Sequence, residues 1–274
     1  FLEKAAEELV EERWKKVIAR AGEGLRERLD EVFVRYFGDF EEERVKVRPS
    51  GKNSFVAYPY HVTVQAESQL APLGYTLGHY PQSWELSTIG GWVASRSSGQ
   101  QSMRYGRIEQ MFAGGRIETL QGALDIPTFP ASSAGPDLRE FFLGTEGRMG
   151  IITEVKARVT PLPEHESFHV LFFPNWEAGL AAVREIVQNK MQLSMMRLSN
   201  RIETITQLKL AGGERVIALL EQFLALRGAG DDKVMFTFGV TGSIGQCKSA
   251  VSLTRKISKR HGGVGAGPVL GKKW

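Results

Sequence analysis

Cysteine is almost absent, for Cys247 is the only one in the chain. That excludes an intrachain disulfide framework and a thiolate-rich metal site, and it fits a reducing compartment. Long apolar runs are missing too, with none approaching the roughly 18 residues that a membrane-spanning helix needs. The opening residues Phe1, Leu2, Glu3, Lys4 and Ala5 do not form a basic stretch followed by an apolar one, so no secretory signal is visible and a cytoplasmic location is the expectation. Histidine is sparse, at positions 61, 79, 165, 169 and 261, and the spacing gives no reason to expect a zinc or iron site. Neither an internal repeat nor a low-complexity segment occurs. Charge is not one-sided either. The net charge of +4 arises from 35 basic residues mixed with 31 acidic ones along the whole length. The cations therefore read as a solvated surface, and no nucleic-acid partner is expected.

What is present, 42% hydrophobic and 24% charged residues in a chain of 274, suffices for one large core or two modest ones. In residues 1–37, Leu9, Val10, Trp14, Val17, Ile18, Ala21, Leu25, Leu29, Val32 and Phe33 recur at three- and four-residue steps, the period of amphipathic helices. Residues 62–66 and 151–159 alternate as strands do, and in the second stretch Ile151, Thr153, Val155, Ala157 and Val159 share one parity. Between the two, Gly, Ser and Pro accumulate, the composition of loops whose backbone must approach something closely. After Pro161 and Pro163 the pattern becomes an alternation of strands (169–173, 193–198 and 233–240) with helices (176–188, 215–226 and 246–261). The expected organisation is N-terminal helices over 1–49, a first domain over 50–160 and an α+β second domain over 161–274.

Two stretches carry the chemistry. The first holds Pro81, Gln82, Ser83, Trp84, Glu85, Leu86, Ser87, Thr88, Gly90, Gly91, Ser95, Arg96, Ser97 and Ser98. Pro81 and the glycine pair set tight turns, while the hydroxyls of Ser83, Ser87 and Thr88 and the freed amides offer donors to an anion or to the edge of a heteroaromatic ring. A planar cofactor with a pyrophosphate needs that combination, although a Ser/Gly-rich surface loop has the same composition. The second runs Gly144, Thr145, Glu146, Gly147, Arg148, Met149, Gly150, Ile151, Ile152, with glycines every third residue leading straight into a strand. Such a run lets a ring or a ribityl chain lie against the main chain. Its spacing and the strand that follows it exclude a Rossmann fingerprint. A third signal is Arg197 in the apolar strand 193–198, where a buried guanidinium would need an anionic partner; a structural ion pair with a glutamate competes with a functional role. The glycines of 262–267 do not make a phosphate loop, since no Gly-Lys-Ser/Thr ends them.

The ordered set of Pro81-x-Ser83, Ser87-Thr88-Ile89-Gly90-Gly91-Trp92-Val93, Arg104-Tyr105-Gly106, Ala134-Gly135-Pro136-Asp137 and residues 144–154 resembles the FAD domain of the vanillyl-alcohol oxidase superfamily. Within it, Trp92 and Gly135-Pro136-Asp137 are most similar to the alkylglycerone-phosphate synthase family. The resemblance covers roughly residues 62–274 and implies an α+β fold: a PCMH-type FAD-binding domain, apparently incomplete, plus a cap domain with an antiparallel sheet and flanking helices. It implies a non-covalently bound FAD held by residues 81–88, Gly90, Gly91, 95–98 and 146–152. It also implies a catalytic role for Arg197 and exchange of the acyl group of an acyl-dihydroxyacetone phosphate for a fatty alcohol, the ether-bond step of ether-lipid synthesis. The partner would be a small or lipid-like substrate bearing phosphate or carboxylate, and peripheral membrane contact and a homodimer belong to the same set of expectations. The alternatives are an FAD-linked oxidase or dehydrogenase of a 2-hydroxy acid, in which Arg197 clamps a carboxylate, and a non-catalytic flavin-domain scaffold.

The sequence also departs from that family. The Pro-x-Gly-Gly-Gly-Thr-Ser pyrophosphate loop occurs nowhere in it, and neither do the family's catalytic tyrosine and run of adjacent histidines, so no acid, base or nucleophile is assigned. The join at Ala66-Glu67, where a strand pattern passes into a helix pattern without a turn residue, and similar joins between Phe55 and His61, lead us to expect an interrupted chain from which flexible cofactor and active-site segments are missing.

Overall fold

A computed structural model describes residues 48–51, 54–57, 63–129, 133–211 and 214–265. The amphipathic pattern of residues 1–37 lies outside them. The chain divides into two units, one built from the chain up to Leu73 with Ser83–Ser97 and Ile108–Val159, the other from Gly74–Gln82, Ser98–Arg107 and Thr160 onward.

The first unit is a five-stranded sheet in the order β1-β2-β6-β4-β5, with β1 Arg48–Gly51, β2 Ser54–Ala57, β4 Phe112–Thr119, β5 Gly122–Ile126 and β6 Ile151–Arg158. All of its pairings are antiparallel. The alternation read in residues 151–159 is realised: Thr153, Val155, Ala157 and Val159 are all buried. Strand β4 hides in the sequence behind Gly114 and Gly115, where φ of +150° and +156° excludes other residues. A Cβ at Gly114 would stand 2.5 Å from Ile126 O, so the glycines let β4 pass between its neighbours. Helices α1 Thr63–Leu70, α2 Ile89–Ser95, α4 Ile108–Met111 and α5 Leu138–Phe142 accompany the sheet. The strand expected over residues 62–66 is not formed, because α1 runs without interruption through the Ala66-Glu67 join. Ala66 and Leu70, one helical turn apart, are both buried. A short alternating run cannot outweigh that periodicity.

The second unit is centred on a four-stranded antiparallel sheet ordered β11-β8-β10-β9, from β8 His165–Phe173, β9 Met195–Ser199, β10 Val234–Gly242 and β11 Val264–Gly265. Helices α6 Trp176–Gln188 and α9 Ile244–Arg260 cover one face, where Leu171, Phe173, Ala182, Ile186, Phe236, Phe238 and Ala250 form a core. Each begins on a cap the sequence supplies: Asn175 Oδ1 accepts from Ala178 N at 2.9 Å, and Ser243 with Gln246 forms a capping box. Val170, Phe172 and Met235 on the opposite face pack with Leu208 of α7 Arg201–Ala211 and Leu224 of α8 Glu214–Leu226. A two-stranded ribbon, β3 Tyr75–Thr76 with β7 Thr160–Pro161, and the short helix α3 Ser102–Tyr105 complete the unit. The architecture is the α+β arrangement expected, with its second antiparallel sheet flanked by helices. Helix α7 was not expected, since its sequence RIETITQLKLA has little apolar periodicity.

Candidate functional site

In the first unit the two glycine-rich stretches are brought together by the seven-residue helix α2. Thr88 caps it, with Oγ1 accepting from Gly91 N at 3.2 Å, and Arg96 ends it in a left-handed conformation at φ +52°. The main chain of the second stretch then docks on its last turn. Gly144 N donates to Val93 O at 3.1 Å and Glu146 N to Ala94 O at 2.9 Å, which satisfies carbonyls that a helix end leaves orphaned. Arg96 fastens the same join, donating through Nε to Leu143 O at 3.3 Å and through Nη2 to Glu140 Oε2 at 2.9 Å. A Cβ at Gly144 would stand 3.0 Å from Arg96 Cγ, which is why glycine occupies that position.

The loop before α2 is held by its own hydroxyls. Ser87 Oγ donates to Ser83 O at 2.7 Å and accepts from Trp92 Nε1 at 2.8 Å, while Leu86 N donates to Ser83 O at 2.9 Å. Ser87 thus spends its proton within the loop and does not stand ready as a donor to a ligand, whereas Thr88 accepts from Gly91 N and keeps its own. Ser95 Oγ likewise donates to Gly91 O. In this unit Ser83, Glu85, Leu86, Gly91 and Ser95 are exposed, as are Glu146, Gly147, Arg148 and Met149. Glu146 and Gly147 have φ of +52° and +80°, and a Cβ at Gly147 would meet nothing within 4 Å. An exposed left-handed turn, followed by the half-buried Ile151 and Ile152, fits a planar ring with a polar edge. Gly150, at φ +150°, is confined by Glu118 O, 2.6 Å from where its Cβ would be. Among the described residues no group of His, Cys, Asp and Glu is arranged to hold a metal.

Pro81, Gln82 and Ser98 fall in the second unit. Pro81 is buried, Gln100 N donates to Tyr80 O at 2.8 Å, and Ser98 Oγ donates to Ser102 Oγ at 3.4 Å. His79, fully buried beside this turn, has its pKa pushed down to about 4 by desolvation of the imidazolium. Sequence reasoning missed the polar network behind it. Gln101 Nε2 donates to Glu166 Oε2 at 2.9 Å, and the Thr241 hydroxyl lies 3.1 Å from Gln101 Oε1. No motif marks three residues so far apart in the chain.

Arg197 also differs from expectation. It sits on β9, at the edge of the sheet and opposite Thr237, but it is exposed and not buried. Its only ion pair among the described residues is a long one, Nη2 to Glu203 Oε1 at 3.7 Å, with both side chains 45% exposed. The strand is apolar because Met196 and Leu198 pack into the core on the other face. Arg197 shares its face with the buried Thr237 and Ser199, on the side that α7 and α8 cover, and lies exposed on the edge strand.

Fold and site together define a flavin-binding protein. Residues 61–124 match the FAD binding domain, and residues 162–268 match the C-terminal domain of FAD linked oxidases. Residues 13–83 match a family described as a protein of unknown function. The two matches support FAD as the cofactor of this chain. The chain is similar to alkyldihydroxyacetonephosphate synthase. It is 38% identical over 133 residues to that protein of Caenorhabditis elegans, covering 48% of this chain and 22% of the relative. A solved alkyldihydroxyacetonephosphate synthase superposes with a TM-score of 0.74 at 27% identity, over 84% of this chain and 42% of that one. A glycolate oxidase subunit of Bacillus subtilis is 28% identical over 154 residues, 52% of this chain and 32% of its own. The chain thus spans well under half the length of the relatives it matches. Among the described residues no helix is long and apolar enough to cross a membrane.

Proposed function

We propose that the full-length protein binds FAD non-covalently and exchanges the acyl group of an acyl-dihydroxyacetone phosphate for a fatty alcohol. The observation that carries the cofactor part is the docking of Gly144 and Glu146 amides onto the α2 carbonyls. It brings two segments about fifty residues apart in sequence together and leaves residues 146–149 exposed. Bound FAD supplies an electrophilic, redox-active ring. The protein's own part is to hold it through residues 82–88 and 146–152 and to fix the substrate anion through Arg197. An exposed guanidinium in a 3.7 Å ion pair suits that task. A surface pair of this kind is worth at most about 1 kcal/mol, so a phosphate taking up the guanidinium fork bidentately readily displaces Glu203. The similarity to alkyldihydroxyacetonephosphate synthases over both matched regions supports the phosphate-bearing substrate.

The similarity to a glycolate oxidase subunit supports a second reading, oxidation of a 2-hydroxy acid with Arg197 on the carboxylate. One comparison separates the two. Under anaerobic conditions a 2-hydroxy acid bleaches the flavin absorbance of an oxidase, whereas the transferase incorporates labelled fatty alcohol into dihydroxyacetone phosphate with no net bleaching. A full-length protein purified with added FAD that stays colourless and shows no affinity for FAD would remove both, leaving the scaffold. Cytoplasmic location, peripheral membrane contact and homodimerisation belong to the same proposal, and fractionation and sedimentation of the full-length protein test them.

A further inference from the structure

On the α9 side of the second unit's sheet lies a cavity of about 440 Å3, lined by none of the residues assigned to the flavin. Its floor is β8, where His165, Ser167 and His169 share one parity. Its wall is one stripe of α9, namely Lys248, Val251, Ser252 and Arg255, spaced three and four residues apart. His169 stacks on Phe238, with ring centroids 5.0 Å apart. Because Val170 pairs with Thr237 and Thr237 with Arg197, His169 and Arg197 lie on opposite faces of the sheet.

The hydrogen bonds in the cavity have one direction. An arginine only donates, so Arg255 Nη2, 3.3 Å away, makes His169 Nδ1 an acceptor. Neutral His169 must then carry its proton on Nε2 and donate to Ser167 Oγ at 3.1 Å, and Ser167 donates in turn to His165 Nε2 at 3.2 Å. That leaves His165 with its proton on Nδ1 and Arg255 with its remaining donors. Burial, Arg255 and His165 together push the His169 pKa down, in keeping with the neutral form. No carboxylate answers this array: among the described residues neither Arg255 nor Lys248 has an acidic partner within salt-bridge distance. Glu164, at the start of α9, accepts from Ile244 N at 3.2 Å, and Glu166 points to the other face, where it accepts from Gln101.

We propose that this cavity is a second anion site, one that takes a phosphate monoester. Two fixed cations without a counter-charge match a dianion, and the guanidinium fork, the ammonium, the Ser252 hydroxyl and the His165 N–H supply donors around a tetrahedral group. Its volume leaves room for a small organic residue beside the phosphate, against Val251 and Cys247. The ligand is either a soluble phosphate ester or the headgroup of a phosphomonoester lipid. The site stands independently of the flavin reading, since the sheet separates it from Arg197.

The test uses the full-length, FAD-loaded protein. Calorimetry with inorganic phosphate and with glycerol 3-phosphate, at ionic strength held constant with KCl, should give a saturable binding phase that persists in R197Q, with shifts in the C2–H resonances of His165 and His169. The double variant K248Q/R255Q should weaken that binding by about tenfold or more, while R197Q leaves it intact. Each single variant, K248Q and R255Q, should weaken it in part, a readout that remains if the double variant fails to fold. Sedimentation with phosphatidylcholine vesicles, with and without phosphatidic acid, assigns the source. Recruitment by phosphatidic acid that K248Q/R255Q abolishes marks a lipid headgroup, and saturable glycerol 3-phosphate binding without such recruitment marks a soluble ester. Absence of saturable phosphate binding and of phosphatidic-acid recruitment would overturn the proposal. So would binding that R197Q abolishes and K248Q/R255Q leaves intact.

Discussion

Acidification should weaken the second unit through His79 before its carboxylates begin to titrate. The ring is fully buried, and burial holds its pKa down to about 4 from an ordinary 6.5. Between those values the unfolded chain binds a proton that the folded one refuses, so stability falls as pH falls. The contribution is fully present above pH 6.5 and gone at about pH 4. At about 1.4 kcal/mol per pH unit it amounts to about 3 kcal/mol, with no discount for solvent screening because the side chain is fully buried. His169, whose pKa is also depressed, acts in the same direction. The Glu185 carboxyl, held low by His261 and Arg260, adds a loss at still lower pH. A difference measurement isolates His79. Urea unfolding of the wild type and of His79→Gln at intervals from pH 7 to 4 should show the variant's deficit shrinking by about 3 kcal/mol across that range. The C2–H resonance of His79 should titrate near pH 4 in the folded protein. A deficit that stays constant with pH, or a resonance that titrates near 6.5, would refute the desolvation argument.

Other changes separate scaffold from chemistry. Gly150→Ala forces a Cβ toward Glu118 O, 2.6 Å away, at a φ of +150°, and should cost about 2 kcal/mol or more in thermal or urea unfolding. Thr88→Ala removes the cap of α2 and should cost about 1 kcal/mol while weakening FAD binding, and Thr88→Ser should restore both. Arg197→Lys should leave flavin content and melting temperature unchanged, because its exposed pair is worth little. Turnover should fall by about 10- to 100-fold if the bidentate contact acts in the transition state. Parallel loss of stability would return Arg197 to a structural role.

The elements most legible in the sequence were those whose period matched their burial. Helix α6 begins and ends where the apolar spacing of residues 176–188 predicted, because its buried Ala182 and Ile186 sit a turn apart. Strand β6 followed from the parity of Thr153, Val155 and Ala157. Strand β4 escaped notice because glycines at two of its central positions carry no propensity signal, although they are what let it bend. Arg197 was misjudged for a related reason. An apolar strand implies burial of the strand, but β9 lies at the sheet edge, and Arg197 is exposed there although Ser199 on the same face is buried. The cavity between β8 and α9 left a trace in the spacing of His165, Ser167 and His169. That trace gains meaning only once the segment is known to be a strand, since on a helix the same residues would diverge.

The stretch from Ser83 to Thr88 suggests how such a site can be both polar in sequence and undemanding in side chains. Ser87 accepts from Trp92 and donates to Ser83 O, and Thr88 accepts from Gly91 N to close the first turn of α2, so both oxygens serve the fold. Groups spent in this way need not reorganise when a ligand arrives, because their alternatives to the ligand are already occupied. The contact surface is then the main chain whose course they fix, including the left-handed turn at Glu146 and Gly147 that α2 anchors from behind. A substitution that preserves this path should therefore matter less than one that bends it, whichever residue it changes. On the proposed function, the sequence signature of the site is its turn formers and caps, and the cofactor is expected to be held largely by backbone common to every residue.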